Sequence, residues 1–208
     1  MSQKSLYPEP ATASPVLPGA ELLLLRAPAL GESSLALLDA LIRDTAWRQE
    51  SITLYGKTHQ QPRLVAWYGD RGAAYGYSGR SYQPQPWSAR LASVRDRMEQ
   101  LASARFNSVL LNYYRDHRDS MGLHADDEPE LGEQPVIASL SLGEERVLYF
   151  RHKRERTVRG TDLPLPDGSV LLMRGDTQAN WKHGMRKLSR PCGPRVNLTF
   201  RWVYTRQA

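Results

Sequence analysis

The sequence has little cysteine and no long apolar run, and both absences narrow the class of protein. Cys192 is the only cysteine among 208 residues, so the chain cannot form an internal disulfide. A lone thiol is typical of proteins from reducing compartments. No apolar stretch approaches the roughly 20 residues that a transmembrane helix needs, and the opening residues Met-Ser-Gln-Lys-Ser lack an apolar signal core. We therefore expect a cytoplasmic protein with no membrane association.

Length and charge give coarser expectations. A chain of 208 residues is the size of one domain. Residues 1–19 are rich in Pro, Ser and Ala without periodicity, so we expect a flexible N-terminal arm followed by a single domain over residues 20–208. The net charge of +6 favours a polyanionic partner through phosphate contacts, although many basic proteins bind no nucleic acid. We expect a monomer.

Hydrophobic periodicity predicts two helices among many short strands. The first helix begins at Ser33 or Ser34 and runs to about Trp47, and the second covers residues 88–102. Strands are predicted at residues 21–26, 51–55, 63–68, 107–115, 136–142, 146–152, 169–174, 183–188 and 195–204. Asp167-Gly168 predicts a hairpin turn, and residues 153–168 carry no clear motif. This order is typical of a mainly β (α+β) fold, an antiparallel double-sheet roll with helices against one side.

The last third of the chain carries residues suited to a metal site. Two imidazoles and one carboxylate can hold Fe(II) and leave its other positions open. Side chains alternate along a strand, so His124 and Asp126 point the same way and Ala125 points away. The third ligand must come from elsewhere, and His183 is the candidate. The remaining histidines are expected to be surface or core residues without a metal: His59, His117 and His152.

A strictly alternating strand follows His183. Its polar face consists of Arg195, Asn197, Thr199 and Arg201, and its apolar face consists of Val196, Leu198, Phe200 and Trp202. The planar fork of arginine binds carboxylates through two hydrogen bonds and stays charged when buried. The polar face therefore suits a dicarboxylate co-substrate beside the metal. The alternative is a solvated edge strand with scattered arginines.

Taken together, these motifs resemble the AlkB family of Fe(II)- and 2-oxoglutarate-dependent nucleic-acid dealkylases. Asn112-Tyr-Tyr114 matches the family's Asn-x-Tyr, and His124-Ala-Asp126 matches its His-x-Asp. His183 matches the distal ligand, and Arg195 to Arg201 match Arg-x5-Arg. The resemblance covers roughly residues 50 to 205. Within the family, the chain closely resembles members that repair duplex DNA. It implies a double-stranded β-helix, or jelly roll, with the N-terminal helices packed on one sheet.

The resemblance also implies the chemistry and the cofactors. The expected cofactors are Fe(II), 2-oxoglutarate as co-substrate, and O2. The metal ligands and catalytic residues would be His124, Asp126 and His183, with Arg201 also orienting Asp126. The implied co-substrate contacts are Asn112, Tyr114, Arg195, Asn197, Thr199 and Arg201. The expected reaction removes N-alkyl groups from bases such as N1-methyladenine and N3-methylcytosine in DNA, with release of formaldehyde, succinate and CO2.

An alkylated base inside a duplex cannot reach a buried metal, so it must be flipped out of the helix. The resemblance places base-contacting aromatics at Tyr75 and Tyr77 and an acidic residue near the exocyclic amine at Glu128. It places the wedge aromatic of a hairpin at Tyr55, where the residue is Tyr rather than Phe. The alternatives are half-buried strand packing for Tyr75 and Tyr77 and a surface turn for Tyr55.

Basic residues after the core strands are candidates for phosphate contacts, although a solvated face is the alternative. They are the run Arg151-His-Lys-Arg-Glu-Arg156 together with Lys182, Arg186 and Lys187. Two other functions remain open from the sequence. One is demethylation of RNA, or another 2-oxoglutarate-dependent hydroxylation on the same fold. The other is a non-catalytic reader of alkylated nucleic acid, which the intact metal and arginine motifs argue against.

Overall fold

The computed structural model describes residues 11–13, 15–54, 57–73, 75–77 and 80–204. The helices are α1 (Ser34–Asp44), α2 (Ala89–Ala102) and the single turn α3 (Thr177–Asn180), with a 3-10 turn at Pro129–Leu131. The strands are β1 (Ala11–Ala13), β2 (Glu21–Arg26), β3 (Ser51–Leu54), β4 (Lys57–Gln60), β5 (Leu64–Gly69), β6 (Tyr75–Tyr77), β7 (Arg80–Tyr82), β8 (Ser108–Tyr114), β9 (Met121–His124), β10 (Ile137–Gly143), β11 (Arg146–His152), β12 (Thr161–Leu165), β13 (Val170–Arg174), β14 (Trp181–Met185) and β15 (Arg195–Arg201).

Two antiparallel sheets form the body of the domain. The major sheet has the strand order β1-β2-β13-β10-β15-β8-β5, and the minor sheet has the order β12-β11-β14-β9. Two hairpins, β3–β4 and β6–β7, are separate from both sheets. The predicted mainly β jelly roll is therefore confirmed. Within the described ranges, no helix has the length and apolarity needed to cross a membrane.

The two long helices cover one face of the major sheet. α1 buries Leu37, Leu38 and Leu41 in the same cluster as Leu91, Val94 and Met98 of α2. The sheet contributes Val109, Leu111, Leu140, Leu142, Val196, Leu198 and Phe200 to this cluster. Each such side chain stabilises the fold by about 1.5–3 kcal/mol on leaving water, which fixes the helices on this face.

The minor sheet packs against the opposite face of the major sheet. Its contacts form a second apolar cluster that includes Leu22, Leu24, Ile137, Leu148, Phe150, Leu163, Leu165, Leu171, Met173 and Trp181.

Strand β15 shows the consequence of this layering. Its apolar residues face the helices, and its polar residues face the space between the sheets, because side chains alternate along a strand. The alternative interpretation of Arg195–Arg201 as a solvated edge strand is wrong, since β15 lies between β10 and β8 and is buried throughout.

Helix α1 begins as predicted but ends early. The hydroxyl of Ser33 caps it by accepting a hydrogen bond from the Ala36 N–H at 3.2 Å. The helix ends at Asp44 rather than near Trp47, because the backbone of Arg48 pairs with that of Val65. This pairing needs an extended chain just after the helix.

Several elements in the loops were not predicted. The polar loop expected after residue 55 contains strand β4, paired with β3. The featureless region 153–168 contains β12, an edge strand that tolerates Pro164 because its free side needs no partner. The hairpin expected at Asp167-Gly168 is wrong, since this turn connects β12 of the minor sheet to β13 of the major sheet.

The N-terminal segment makes ordered contacts over part of its length. Strand β1 pairs with β2, and Leu17 is buried in the core between the sheets. The Trp181 indole N–H donates to the carbonyl of Pro18 at 3.0 Å. The described residues 11–13 and 15–19 of the predicted arm therefore lie against the domain.

Candidate active site

The two candidate histidine ligands meet on neighbouring strands of the minor sheet. His124 ends β9 and lies directly opposite His183 of β14. Their ring centroids are 4.5 Å apart. Asp126 completes the group, with Oδ1 3.8 Å from His124 Nε2 and Oδ2 3.9 Å from His183 Nε2. The pairing of two strands thus brings together residues nearly sixty positions apart in the sequence.

The strand that was expected to carry both His124 and Asp126 is shorter than predicted. β9 ends at His124, and Asp126 lies in a bend after it. Simple strand alternation therefore does not place the carboxylate. Hydrogen bonds do so instead: the Asp126 N–H donates to Gln178 Oε1 at 3.0 Å, and Arg201 Nη2 donates to Asp126 Oδ1 at 2.7 Å.

This group of three side chains fits a metal ion. Two atoms bound to one divalent ion at about 2.1 Å can lie no more than about 4.2 Å apart, and both measured separations from Asp126 satisfy this limit. Asp126 Oδ2 is buried and has no hydrogen-bond partner among the residues that the structure describes. A buried carboxylate oxygen without a partner is costly, and a cation bound there would satisfy it.

The protonation states also suit metal binding. His124 Nδ1 lies 3.0 Å from the carbonyl oxygen of Gly122, so a hydrogen on Nδ1 leaves the lone pair of Nε2 for a metal. Burial, followed by repulsion from His124, lowers the pKa of His183 to about 3, so its imidazole is neutral at pH 7. Burial alone would raise the pKa of Asp126, but attraction to Arg201 and the two histidines outweighs it and lowers that pKa.

A cavity of about 480 Å³ opens beside these ligands, between the two sheets. It brings together every residue predicted to contact the co-substrate: Asn112, Tyr114, Arg195, Asn197, Thr199 and Arg201. Apolar side chains from the second cluster close other parts of the wall, including Leu165 from the region without a clear motif. The predicted metal ligands and co-substrate contacts therefore line one cavity, and their individual roles remain predictions.

Arg195 presents hydrogen-bond donors to the cavity that have no partner among the described residues. Its side chain is 1% exposed, and Nη2 donates to Ser141 Oγ at 2.9 Å. Nε and Nη1 have no hydrogen-bond partner within the described part of the chain. Burial lowers the pKa of the guanidinium to about 10, which still leaves it charged at pH 7. A carboxylate entering the cavity would satisfy both the charge and the two donors.

The other polar residues of β15 bind partners inside the protein. Arg201 is 4% exposed and forms its ion pair with Asp126, the orienting contact expected from the sequence. The Asn197 amide donates to Ser139 Oγ at 2.8 Å and to the carbonyl of Leu140 at 3.0 Å. The Thr199 hydroxyl donates to Asn197 Oδ1 at 3.0 Å. These bonds fix the polar face of the strand around the cavity.

Strand β8, the neighbour of β15 in the major sheet, supplies the adjacent part of this polar wall. Tyr114 is buried with its hydroxyl 3.7 Å from Met121 Sδ, and burial raises the pKa of the phenol. Asn112 Oδ1 accepts a hydrogen bond from Arg63 Nε at 2.7 Å. Arg63 is 7% exposed and lines the cavity, yet periodicity gave no reason to select it. The sequence signal for Arg63 was the dipeptide Pro62-Arg63, which resembles AlkB-family members that repair duplex DNA.

The predicted substrate contacts are only partly described. Glu128 lines the cavity two residues after Asp126, and its Oε2 is buried. Tyr55 lies outside the described residues. Strand β6 has the extended backbone expected for Tyr75 and Tyr77, but their side chains are also outside the description. The base-contacting roles of Tyr75 and Tyr77 and the wedge role of Tyr55 therefore remain predictions.

The basic residues after the core strands divide into two groups. Arg151 and Lys182 are exposed and directly opposed across β11 and β14. Arg186 stacks over Tyr149 with its guanidinium carbon 3.8 Å from the ring centroid and pairs with Asp162 at 3.2 Å. Lys153 instead turns inward and binds Asp127 and a backbone carbonyl. Arg154, Arg156 and Lys187 are exposed as well, and contact of any of these residues with a phosphate remains a prediction.

Comparison with known proteins agrees with this site. Residues 22–201 match the family described as the 2OG-Fe(II) oxygenase superfamily. The chain belongs to this superfamily. Membership confirms the prediction of Fe(II), 2-oxoglutarate and O2 as cofactors, and the three candidate ligands are residues that could hold the iron.

Individual relatives of this superfamily member confirm the resemblance to AlkB proteins. It is 42% identical over 176 residues to human alpha-ketoglutarate-dependent dioxygenase alkB homolog 3, covering 81% of this chain and 61% of the relative. It is 41% identical over 158 residues to human DNA oxidative demethylase ALKBH2, covering 73% of this chain and 60% of the relative. The chain thus spans less than two thirds of the length of these relatives.

The fold has a match among solved structures. The structure of OsALKBH1 aligns with a TM-score of 0.62 at 16% identity, covering 92% of this chain and 100% of that chain. At this identity the similarity concerns the fold, and it agrees with the jelly roll described above.

Proposed function

We propose that this chain is an Fe(II)- and 2-oxoglutarate-dependent dioxygenase that removes N-alkyl groups from DNA bases such as N1-methyladenine and N3-methylcytosine. The observation that carries the proposal is a single cavity with two features. It is lined by the candidate ligands His124, Asp126 and His183, and it is also lined by the buried guanidinium of Arg195. One end suits a divalent ion and the other suits a carboxylate. A co-substrate that binds the metal and ends in a carboxylate fits both.

The residues around the cavity have different roles in this proposal. Bound Fe(II), with 2-oxoglutarate and O2 as co-substrates, would supply the oxidation of an N-alkyl carbon: one oxygen atom enters succinate as CO2 is released, and the other enters the alkyl group, which leaves a methylated base as formaldehyde. The three candidate ligands hold the ion, and Arg195 holds the far carboxylate of the co-substrate. Arg201 keeps Asp126 ionised and oriented through their 2.7 Å bond.

Several observations support alkylated DNA as the substrate. The relatives include a protein named DNA oxidative demethylase. The metal ligands Asp126 and His183 are buried, so a base must leave its stack to reach them. Glu128 at the cavity wall offers an acceptor for an exocyclic amine. Arg151 and Lys182 are exposed on the minor sheet, and the net charge is +6. We further propose that the protein acts as a monomer in the cytoplasm.

A product assay tests the proposal. The purified protein is loaded anaerobically with Fe(II) and 2-oxoglutarate, and oxygen is then added with an oligonucleotide that bears one N1-methyladenine. Deoxyribose and ribose forms of the same sequence are compared. Formaldehyde, succinate and the mass of the base are measured together. The expected result is loss of one methyl group with matching succinate, faster for DNA than for RNA.

The other outcomes contradict specific parts of the proposal. Faster reaction with the ribose form would replace DNA with RNA as the substrate. Succinate without demethylation would retain the oxygenase but remove these bases as substrates. Lesion binding without either product would favour a non-catalytic reader.

A further inference from the structure

A buried glutamine outside the cavity connects the two segments that carry the candidate ligands. Gln178 lies on α3, five residues before His183, and is 1% exposed. Its Oε1 accepts the hydrogen bond from the Asp126 N–H at 3.0 Å, and its Nε2 donates to Met173 Sδ at 3.4 Å. Gln178 is absent from the cavity wall. An effect of Gln178 on the site would therefore pass through the residues that it contacts.

A second contact holds the same loop from outside. The Lys153 ammonium donates to Asp127 Oδ2 at 2.6 Å and to the backbone carbonyl of Gln178 at 2.5 Å. The Lys153 N–H also donates to the carbonyl of Asn180 at 2.8 Å. Lys153 thus joins the residue after Asp126 to Gln178 and Asn180 of the α3 turn that leads into β14.

These contacts matter because the carboxylate ligand lies beyond the end of its strand. His124 and His183 are fixed by the pairing of β9 with β14, whereas Asp126 lies after the end of β9 and is held by hydrogen bonds to Gln178 and Arg201. Arg201 orients the carboxylate, and Gln178 fixes the backbone that carries it. Residues that orient metal ligands change metal affinity without contacting the metal.

We propose that Gln178 and Lys153 are positioning residues that hold the Asp126 loop against the β14 segment, so that the metal site is formed before the ion binds. The inference rests on the proposed iron site. It predicts that loss of either side chain weakens metal binding by the folded protein, beyond any effect on folding. A merely structural role for Gln178 would lower the melting temperature of the metal-free protein and leave the metal affinity of the folded protein unchanged.

The test measures Mn(II) binding to the full chain, freed of metal, by the EPR signal of the unbound ion. The melting temperature is recorded in parallel, and binding is measured well below it. Gln178→Met keeps the length of the side chain and removes the acceptor for the Asp126 N–H. We expect its Kd to rise about 10- to 100-fold. Lys153→Met removes only the partly exposed ammonium, and we expect a rise of about threefold to tenfold. Lys153→Arg should restore most of the affinity.

Gln134→Met is the matched control. The Gln134 amide donates to Asp176 Oδ1 at 2.9 Å, so it also binds the start of α3 but does not reach the Asp126 loop. Its Kd should equal that of the unaltered protein. An unchanged Kd in Gln178→Met, or an equal rise in Gln134→Met, would overturn the inference. If Gln178→Met does not fold, Lys153→Met decides, and an unchanged Kd there overturns it.

Asp126→Ala separates this inference from the proposed function. It removes a ligand and should abolish Mn(II) binding whatever Gln178 does. Normal binding by Asp126→Ala would refute the iron site itself. Lost binding in Asp126→Ala with normal binding in both positioning variants would refute only the role of Gln178 and Lys153.

Discussion

Replacing Arg195 with methionine should weaken co-substrate binding without lowering the stability of the metal-free protein. In the metal-free protein this guanidinium is buried with one hydrogen bond, to Ser141, and two unpartnered nitrogens within the described structure. Its charge therefore serves a ligand more than the fold. We predict that Arg195→Met greatly weakens 2-oxoglutarate binding while the metal-free protein loses no stability.

The expected magnitudes follow from burial and hydrogen bonding. Burial lowers the pKa of Arg195 from 12.5 to about 10, which corresponds to roughly 3 kcal/mol against the charged form. Loss of the bond to Ser141 costs about 1 kcal/mol. The free energy of unfolding should thus stay the same or rise by up to about 2 kcal/mol. Two charge-assisted bonds to a carboxylate contribute at least about 3 kcal/mol, so the Kd for 2-oxoglutarate should rise at least about 100-fold.

Arg146→Met provides the matched control for this prediction. Arg146 is 2% exposed but lies outside the cavity wall, and its guanidinium donates to the carbonyls of Asp116, Asp119 and Arg186. Its loss leaves buried carbonyls unpaired, so stability should fall while 2-oxoglutarate affinity is retained. Urea unfolding of the metal-free proteins measures stability. Calorimetric titration of 2-oxoglutarate into the Mn(II)-loaded proteins measures affinity. Equal losses of stability in the two variants, or a Kd change below about fivefold in Arg195→Met, would refute the reasoning.

Three further predictions concern the ion pair, the substrate wall and the metal. Arg201→Met should lower the free energy of unfolding of the metal-free protein by about 3–5 kcal/mol, because it leaves Asp126 buried without its cation; unchanged urea unfolding would count against this. Glu128→Gln should slow demethylation about 10- to 100-fold while 2-oxoglutarate turnover without DNA stays normal; equal losses in the two assays would assign Glu128 a structural role. Mn(II) at 100 times its Kd should add about 2.7 kcal/mol of stability, or about 5–10 °C in melting temperature for a domain of this size; the absence of a shift would contradict metal binding to the folded state.

The sequence was most informative where a local pattern and a chemical requirement coincided. Strand β15 alternates strictly, and the arginines on its polar face suited a dicarboxylate once the metal motif was found beside them. The sequence left a solvated edge strand open, and only the burial of both faces in the structure excludes it. His183 was identified from the missing third ligand, and the pairing of β14 with β9 places it opposite His124.

The remainder depended on tertiary contacts that no local pattern records. Gln178 is one of several polar residues on a four-residue helix, and its hydrogen bond to the Asp126 loop distinguishes it only in the structure. The donors of Arg195 and the bond from Arg63 to Asn112 likewise become visible only when the strands are adjacent. The end of α1 was missed because the pairing of Arg48 with Val65 overrides the helical pattern.

The most direct test of the active-site assignment is a product count with the unaltered protein and Asp126→Ala. Both are supplied with Fe(II), 2-oxoglutarate, oxygen and DNA that carries N1-methyladenine, and repaired base, succinate and formaldehyde are measured in one vessel. The unaltered protein should give one succinate and one formaldehyde for each repaired base, and Asp126→Ala should give none of the three. Methyl loss without matching succinate, or repair by Asp126→Ala, would contradict the assignment of this site.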